Sequence, residues 1–155
     1  MPGFARGALM TGLLALSSLA AQAQDAPTTL TIRIENVSPR GGILRLGLYD
    51  RAAYPDDASK PDASADVAAQ AGETIVTLKN LKPGLYAIEM FQDINANGKM
   101  DTNWIGLPLE PFGFSRDARP FLSKPGFDQV KFTIVPGENI QTVHLQHFLS
   151  LVARK

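Results

Sequence analysis

The sequence predicts an all-β fold, a single β-sandwich of about seven strands. Three observations support this prediction. Apolar and polar residues alternate with a period of two in six short segments, and turn-forming Gly, Pro and Asn residues separate those segments. No segment of useful length shows the 3.6-residue period of an amphipathic helix followed by a cap.

The six segments are, in chain order, "TLTIRIENV", "ILRLGLYD", "ETIVTLKNL", "LYAIEMFQ", "VKFTIV" and "IQTVHLQHFLSLV". Turn signals precede three of them: Gly41-Gly42, Lys82-Pro83-Gly84 and Pro136-Gly137. In each segment the residues expected to face the core recur at alternate positions: Leu30, Ile32 and Ile34; Leu44, Leu46 and Leu48; Val76 and Leu78; Tyr86, Ile88 and Met90; Val130, Phe132 and Ile134; Val143 and Leu145.

Two long connections interrupt the alternation. Residues 51–72 are rich in Ala, Asp, Ser and Pro, and we expect a surface loop there, with a helical turn near Val67. Residues 104–128 contain four prolines, four of the eight phenylalanines and the single tryptophan. Because disordered linkers avoid aromatic residues, we expect this segment to pack as an ordered loop over one end of the sandwich.

The N-terminus has the pattern of a secretory signal peptide. Arg6 supplies positive charge, residues 8–21 form an apolar run, and Ala21-Gln22-Ala23 places small residues where a signal peptidase cleaves. The run is shorter than the ~20 residues that a membrane-spanning helix needs. We therefore predict a signal peptide over residues 1–23, a β-sandwich domain over residues 24–155, and export to the periplasm or the cell exterior.

Composition excludes several classes of function. The chain contains no cysteine, so it has no disulfide, no thiol nucleophile and no lipid-modified N-terminal Cys. Its 15 basic and 15 acidic residues balance, and no basic patch indicates a nucleic-acid partner. No phosphate-binding loop and no Gly-x-Ser-x-Gly nucleophile motif is present.

The stretch "DINANGKMD" carries the strongest functional signal. It places oxygen-bearing side chains at alternate positions before a glycine that permits a sharp turn, a pattern typical of the first half of an EF-hand calcium loop. The position of the bidentate Glu in an EF-hand is occupied by Trp104 and no helices flank the loop, so this is not an EF-hand. The candidate ligands of a weakly bound Ca²⁺ ion are Asp93, Asn95, Asn97, the backbone carbonyl of Lys99, and Asp101, and Glu110 is a further candidate carboxylate.

A metal-free reading stays open, because Asn97-Gly98 is also the strongest two-residue hairpin signal. On that reading the loop is a tight turn in a purely structural domain.

Residues 81–115 resemble the DUF2141 family of exported bacterial proteins of undetermined function. The resemblance rests on a Leu-x-Pro-Gly-x-Tyr-Ala turn and strand, the Asp-x-Asn-x-Asn-Gly-x-x-Asp loop, and a Gly-x-Pro-x-Glu-x-x-Gly-Phe-Ser segment. Members of the family often have His before the first Asp of the loop, where this chain has Gln92. The resemblance implies a secreted sandwich similar to prealbumin-like or Ig-like modules, and no known activity.

These observations favour a non-catalytic binding or interaction module with a calcium-stabilised loop. Trp104, Phe112 and Phe114, together with Glu110, form a candidate binding surface for an unknown glycan or envelope protein. The alternative is a hydrolase that acts on an envelope substrate through Asp101 and Glu110.

Overall fold

A computed structural model describes residues 3, 27–54, 58–121 and 123–149, so the predicted signal peptide, apart from Gly3, lies outside the described residues. The described chain forms eight β-strands: β1 (Thr29–Val37), β2 (Ile43–Tyr49), β3 (Ala63–Ala68), β4 (Gly72–Leu78), β5 (Gly84–Asp93), β6 (Phe112–Phe114), β7 (Phe132–Ile134) and β8 (Glu138–His144). A single 3-10 turn at Ser115–Asp117 follows β6, and one short helix, α1 (Phe127–Val130), precedes β7. No described helix has the length and apolar character needed to cross a bilayer.

The strands form two sheets, which confirms the predicted all-β sandwich. One sheet has three strands in the order β4-β1-β8, and the other has the order β3-β2-β5-β6, with β7 also pairing with β5. All of these pairs are antiparallel except β1 with β8. Since β6 and β7 pair with opposite ends of β5, this long strand organises most of the larger sheet.

The core between the sheets contains the residues that the alternation predicts. Leu30, Ile32 and Ile34 of β1 are completely buried and belong to the same apolar cluster as Leu44 and Ile88 of the other sheet. Burying a side chain of this size contributes ~1.5–3 kcal/mol, so this cluster is the main source of folding energy in a chain without disulfides. The period-two pattern therefore identifies the inner faces of both sheets.

The prediction for residues 51–72 is wrong in part, because β3 lies within this stretch. Ala63, Ala65 and Val67 alternate with polar residues and pack at the edge of the main core, and they pair with β2. Small side chains in a strand at the sheet edge bury little apolar area, so their periodicity is weak and is easily taken for a loop. With β3 and the three-residue β6, the part of the chain that the structure describes has eight strands.

Residues 104–128 are ordered where described, but they cover the outer face of the larger sheet and not one end of the sandwich. A second apolar cluster forms there, in which Phe112, Phe114, Phe127 and Val130 pack with Ala87 of β5. Tyr54 joins it, with its ring 5.9 Å from that of Phe127 and its hydroxyl donating to the Pro125 carbonyl over 2.8 Å. The larger sheet is therefore covered on both faces along β5.

Candidate functional site

The motif loop, residues 93–101, begins at the last residue of β5. Asp93 is completely buried, and its carboxylate accepts hydrogen bonds from the backbone N–H groups of Asn97 (3.0 Å) and Gly98 (2.8 Å). The Nε of Arg45, on the neighbouring strand β2, donates to the same carboxylate over 2.7 Å. Asp93 therefore anchors the loop to the sheet through both main-chain and side-chain donors.

The electrostatic environment keeps Asp93 ionised. Burial alone would raise the pKa of Asp93. The hydrogen bonds from Arg45, Gly98 and Asn97 lower this pKa by more than burial raises it, so the pKa lies below its ordinary value. Arg45 also forms an ion pair with Asp66 of β3, which holds the guanidinium between two carboxylates. A buried carboxylate with this many donors stabilises the loop in its charged form.

The other polar residues of the motif converge on Asp101. The side-chain amides of Asn95 and Asn97 donate to the two oxygens of the Asp101 carboxylate, over 2.6 Å and 2.8 Å. The oxygen of Asn97 in turn accepts the N–H of Lys99 over 3.0 Å. Three of the predicted ligands, Asn95, Asn97 and Asp101, thus bond one another through their side chains, whereas the Asp93 carboxylate bonds the loop backbone and Arg45.

Glu110 joins this loop to the segment that follows it. Its residue is 5% exposed, and its two carboxylate oxygens accept the backbone N–H groups of Ile94 (2.8 Å) and Asp101 (3.0 Å). One oxygen therefore holds each end of the motif loop. Since both oxygens accept backbone hydrogen bonds, Glu110 links the motif loop to the segment after it.

Three residues behind the loop were not identified as site residues from the sequence. Gly42 lies so close to the backbone of Asp93 that an added Cβ would stand 2.2 Å from the Asp93 carbonyl oxygen. The Gln92 side chain is completely buried and bonds the backbone of Ser38 and Gly41, in the turn between β1 and β2. Arg45 could have been placed on the outer face by alternation, but only the β2–β5 pairing brings it to Asp93.

The donor set of the loop fits the chemistry of a hard cation. Carboxylate, amide and main-chain carbonyl oxygens are what Ca²⁺ prefers, and the motif supplies all three types. Among the described residues, however, no group of three or more His, Cys, Asp or Glu side chains is placed to hold a metal. An ion here would depend on the Asn amides and main-chain oxygens beside two Asp carboxylates, one of which already pairs with Arg45.

The four residues of the candidate binding surface separate in the structure. Phe112 and Phe114 are buried in the second apolar cluster, with their rings 6.1 Å apart, and Glu110 is buried beneath the loop. Trp104 is 94% exposed in the turn that Asn103 and Gly106 close after the loop, and its neighbour Ile105 is 55% exposed. Exposed apolar surface therefore belongs to this segment, whereas the phenylalanines belong to the structure beneath it.

A cavity of about 640 Å³ lies beside the motif loop, on the outer face of the larger sheet. Phe91 of β5 and Phe112 of β6 contribute to its lining from the sheet, Met100 contributes from the motif loop, and Leu107 contributes from the segment after the loop. Lys124 and Phe148 line it from two later parts of the chain. We call this space the outer-face cavity. Its walls come from five separate stretches of sequence, so no single stretch indicates it.

The family comparison agrees with the motif. The family model of DUF2141, described as an uncharacterized protein conserved in bacteria, matches residues 32–142. This chain belongs to the DUF2141 family. The region of the DUF2141 match runs from β1 into β8 and contains the whole motif loop and most of the cavity lining. Searches of curated proteins and of solved structures found no match.

Proposed function

We propose that this DUF2141 protein is an exported, non-catalytic binding module whose binding site is the outer-face cavity. One observation carries the proposal: the loop and the cavity wall are a single hydrogen-bonded unit. Glu110 bonds both ends of the motif loop, and the Leu109 N–H donates to the Asp101 carbonyl over 2.9 Å. The chain thereby holds Met100 and Leu107 over the sheet at the cavity.

Calcium is the second part of the proposal. Asp93, Asn95, Asn97, Asp101 and the carbonyl of Lys99 would hold the ion, and its charge would tighten the loop against the wall of the cavity. The ion would compete with the internal hydrogen bonds of the loop, and the positive charge of Arg45 offsets part of the carboxylate charge. We therefore place the dissociation constant in the weak extracellular range, ~10⁻⁴–10⁻³ M.

Export and partner choice complete the proposal. The signal-peptide pattern supports release of the chain after Ala23. Apart from the cavity, the exposed Trp104 and Ile105 side chains offer a second apolar surface, for a glycan or an envelope protein. Mass spectrometry of protein recovered from an exporting host should find an N-terminus at Gln24. An intact N-terminus at Met1 in that fraction would contradict the signal peptide.

The hydrolase alternative receives less support from the contacts of its two carboxylates. Glu110 faces backbone donors with both oxygens, and Asp101 accepts two side-chain amides. A general acid or base needs access to the substrate proton that it transfers. We therefore base the proposal on binding.

The test of the calcium site is a titration of the exported protein by calorimetry and by thermal unfolding. We expect heat that saturates at millimolar Ca²⁺ and a stabilisation of about 1.4 kcal/mol when the ion is at ten times its dissociation constant. Mg²⁺ should have a smaller effect, because it requires a tighter octahedral shell. Trp104 is the single tryptophan, so its emission reports on the segment next to the loop.

Two variants give the titration its control. Asp101→Asn removes one negative charge from the loop and should abolish the response to Ca²⁺, whereas Glu138→Gln changes an exposed acid on β8 and should keep it. Absence of both heat and a melting shift in the wild type at millimolar Ca²⁺ would remove the metal from the proposal and leave the loop as a turn.

A further inference from the structure

We propose that the outer-face cavity binds an uncharged amphiphile, with its apolar body against the motif side of the cavity and a hydrogen-bonding head at the Glu89–Lys124 ion pair. This inference rests on the proposed binding function and names the class of ligand. It follows from the size of the cavity, the distribution of polar groups along it and the charge state of its polar end.

The size of the cavity fits a small molecule. Sites for small ligands have volumes of roughly 300–1,000 Å³ and are lined mostly by apolar side chains with a few polar groups. The outer-face cavity, at about 640 Å³, lies within that range. A molecule with a body of several methylene groups or one or two rings would occupy it.

One end of the cavity is apolar. Phe91 pairs with Phe112 across β5 and β6, and Met100 and Leu107 approach from the segment held by Glu110. Methionine side chains are flexible and polarisable, so Met100 can adapt to the shape of an alkyl or aromatic group. This end offers contact with hydrocarbon.

The other end is polar. Glu89 lies two residues before Phe91 on β5, on the same face and about 7 Å away along the strand, and it pairs with Phe114. The Lys124 ammonium donates to Glu89 over 2.8 Å and lies 5.8 Å from the centre of the Tyr54 ring. Ser123 lines the cavity next to Lys124. The two charged side chains of the lining therefore lie at one end of the cavity, whereas Thr102, opposite Pro108, is the polar side chain beside the apolar end.

The charge of the polar end selects the head group. The Glu89 and Lys124 side chains are 29% and 21% exposed, and each neutralises the other. A charged head group would have to displace either Glu89 or Lys124 from the ion pair. The displaced side chain would then keep a charge with a weaker partner in a half-buried position, and this costs free energy. A hydroxyl or amide head can donate to Glu89 and accept from Lys124 while the pair stays intact. The polar end therefore favours an uncharged head.

The test uses the exported protein and displacement of N-phenyl-1-naphthylamine, an uncharged fluorescent probe. Hexanol, octanol and decanol should displace the probe with affinities that rise roughly fourfold for each methylene group buried. At pH 7, decanol should bind at least about tenfold more tightly than decanoate or decylammonium, because only the charged heads disturb the ion pair. All ligands are kept below the concentrations at which they form micelles.

Variants separate the cavity from the rest of the surface. Leu107→Trp should fill the cavity and lower the affinity for every alkyl ligand, whereas Ile75→Trp, at an exposed position of β4, should leave it unchanged. Lys124→Met removes the ammonium group that pairs with the Glu89 carboxylate, so decylammonium should become the preferred ligand. This reversal is a gain that general destabilisation would not produce.

The outcomes distinguish the two proposals. If decanoate or decylammonium binds the wild type as tightly as decanol, or if Lys124→Met does not change the preference, the ligand class is wrong while the cavity stands as a binding site. If neither the probe nor any alkyl ligand binds, or if Leu107→Trp binds as the wild type does, the cavity is not the site and the proposed binding function falls with it.

Discussion

Replacing Glu110 by Gln tests whether this side chain holds the motif loop to the segment that follows it. Each Glu110 oxygen accepts one backbone N–H, from Ile94 at 2.8 Å and from Asp101 at 3.0 Å, in a residue that is 5% exposed. Gln keeps one acceptor oxygen but turns an NH₂ group toward the second N–H. It also removes the charge that strengthens both bonds.

The expected loss follows from these two bonds. A hydrogen bond to a charged group contributes ~1.5–3 kcal/mol, whereas a neutral one contributes ~0.5–1.5 kcal/mol. Losing one charged bond and weakening the other should therefore lower the free energy of unfolding by about 2–3 kcal/mol. This figure includes a reduction because water can reach the loop N–H groups in part. At roughly 3–5 °C per kcal/mol for a domain of this size, the melting temperature should fall by about 10 °C.

The assay is thermal and urea unfolding, with Glu138→Gln as the control. This control makes the same chemical change at an exposed position, where substitutions usually stay within ~0.5 kcal/mol. Trp104 emission should also change at temperatures below the global transition, because the segment that carries Trp104 loses a hydrogen bond between Glu110 and the motif loop. If Glu110→Gln and Glu138→Gln unfold alike, Glu110 does not hold the loop, and the link between motif and cavity wall is wrong.

Two further predictions concern the start of the loop, at Asp93, and Gly42, which packs against it. Gly42→Ala should destabilise the fold by more than ~3 kcal/mol, because the residue has φ +89° and its Cβ would overlap the Asp93 carbonyl. Gly41→Ala is the control: this residue has φ +74° and open space around it, so the substitution should cost only the ~1–2 kcal/mol of backbone strain. Equal losses of stability for the two variants in urea unfolding would contradict the close approach of Gly42 to Asp93. Since the pKa of Asp93 is lowered in the fold, its carboxylate stabilises the protein fully above the unfolded pKa of about 3.9, and this stabilisation is lost as pH falls through the lower folded value. Asp93→Asn should therefore be less stable than the wild type at pH 7 and should show a flatter fall in stability below pH ~4; parallel curves for the two proteins would show that the carboxylate charge is not used.

The sequence predicts the sandwich because one face of each main strand is buried. Leu30, Ile32 and Ile34 alternate with polar residues, and this alternation reflects burial between two sheets. The same reasoning fails for β3, where alanines replace the large side chains, and for β6, which has only three residues. Short or weakly apolar strands form because neighbouring strands supply their hydrogen bonds, and that information lies elsewhere in the chain.

The candidate site also contains some contacts that the sequence predicts and others that it does not. The residues of the motif loop converge because they lie on one short stretch, so spacing alone indicates that Asn95, Asn97 and Asp101 meet. Arg45, in contrast, reaches Asp93 through the register of β2 with β5, and Lys124 reaches Glu89 across 35 positions of sequence. Spacing does not encode such contacts, and therefore the cavity could not be anticipated from the sequence.

The positions of the DUF2141 motif suggest which residues make the scaffold and which choose the ligand. Glu110, in the second half of the motif, bonds the loop in the first half. Gly113 lets β6 approach β8 so closely that an added Cβ would stand 2.9 Å from a Val143 methyl group. Ser115 is completely buried, accepts the Ile88 N–H over 2.9 Å and donates to the Val130 carbonyl over 2.5 Å.

These motif residues thus fix the segment after β5 at both of its ends. Met100 and Leu107, which line the cavity between those ends, are not among the residues on which the family resemblance rests, and Lys124 lies beyond them. A scaffold held by the motif can therefore keep its shape while these lining positions change. We expect DUF2141 proteins to share the loop and its Glu110 tie and to differ in what the cavity accepts, and exchanging Met100 and Leu107 for polar residues of similar size should change ligand preference with little change in melting temperature.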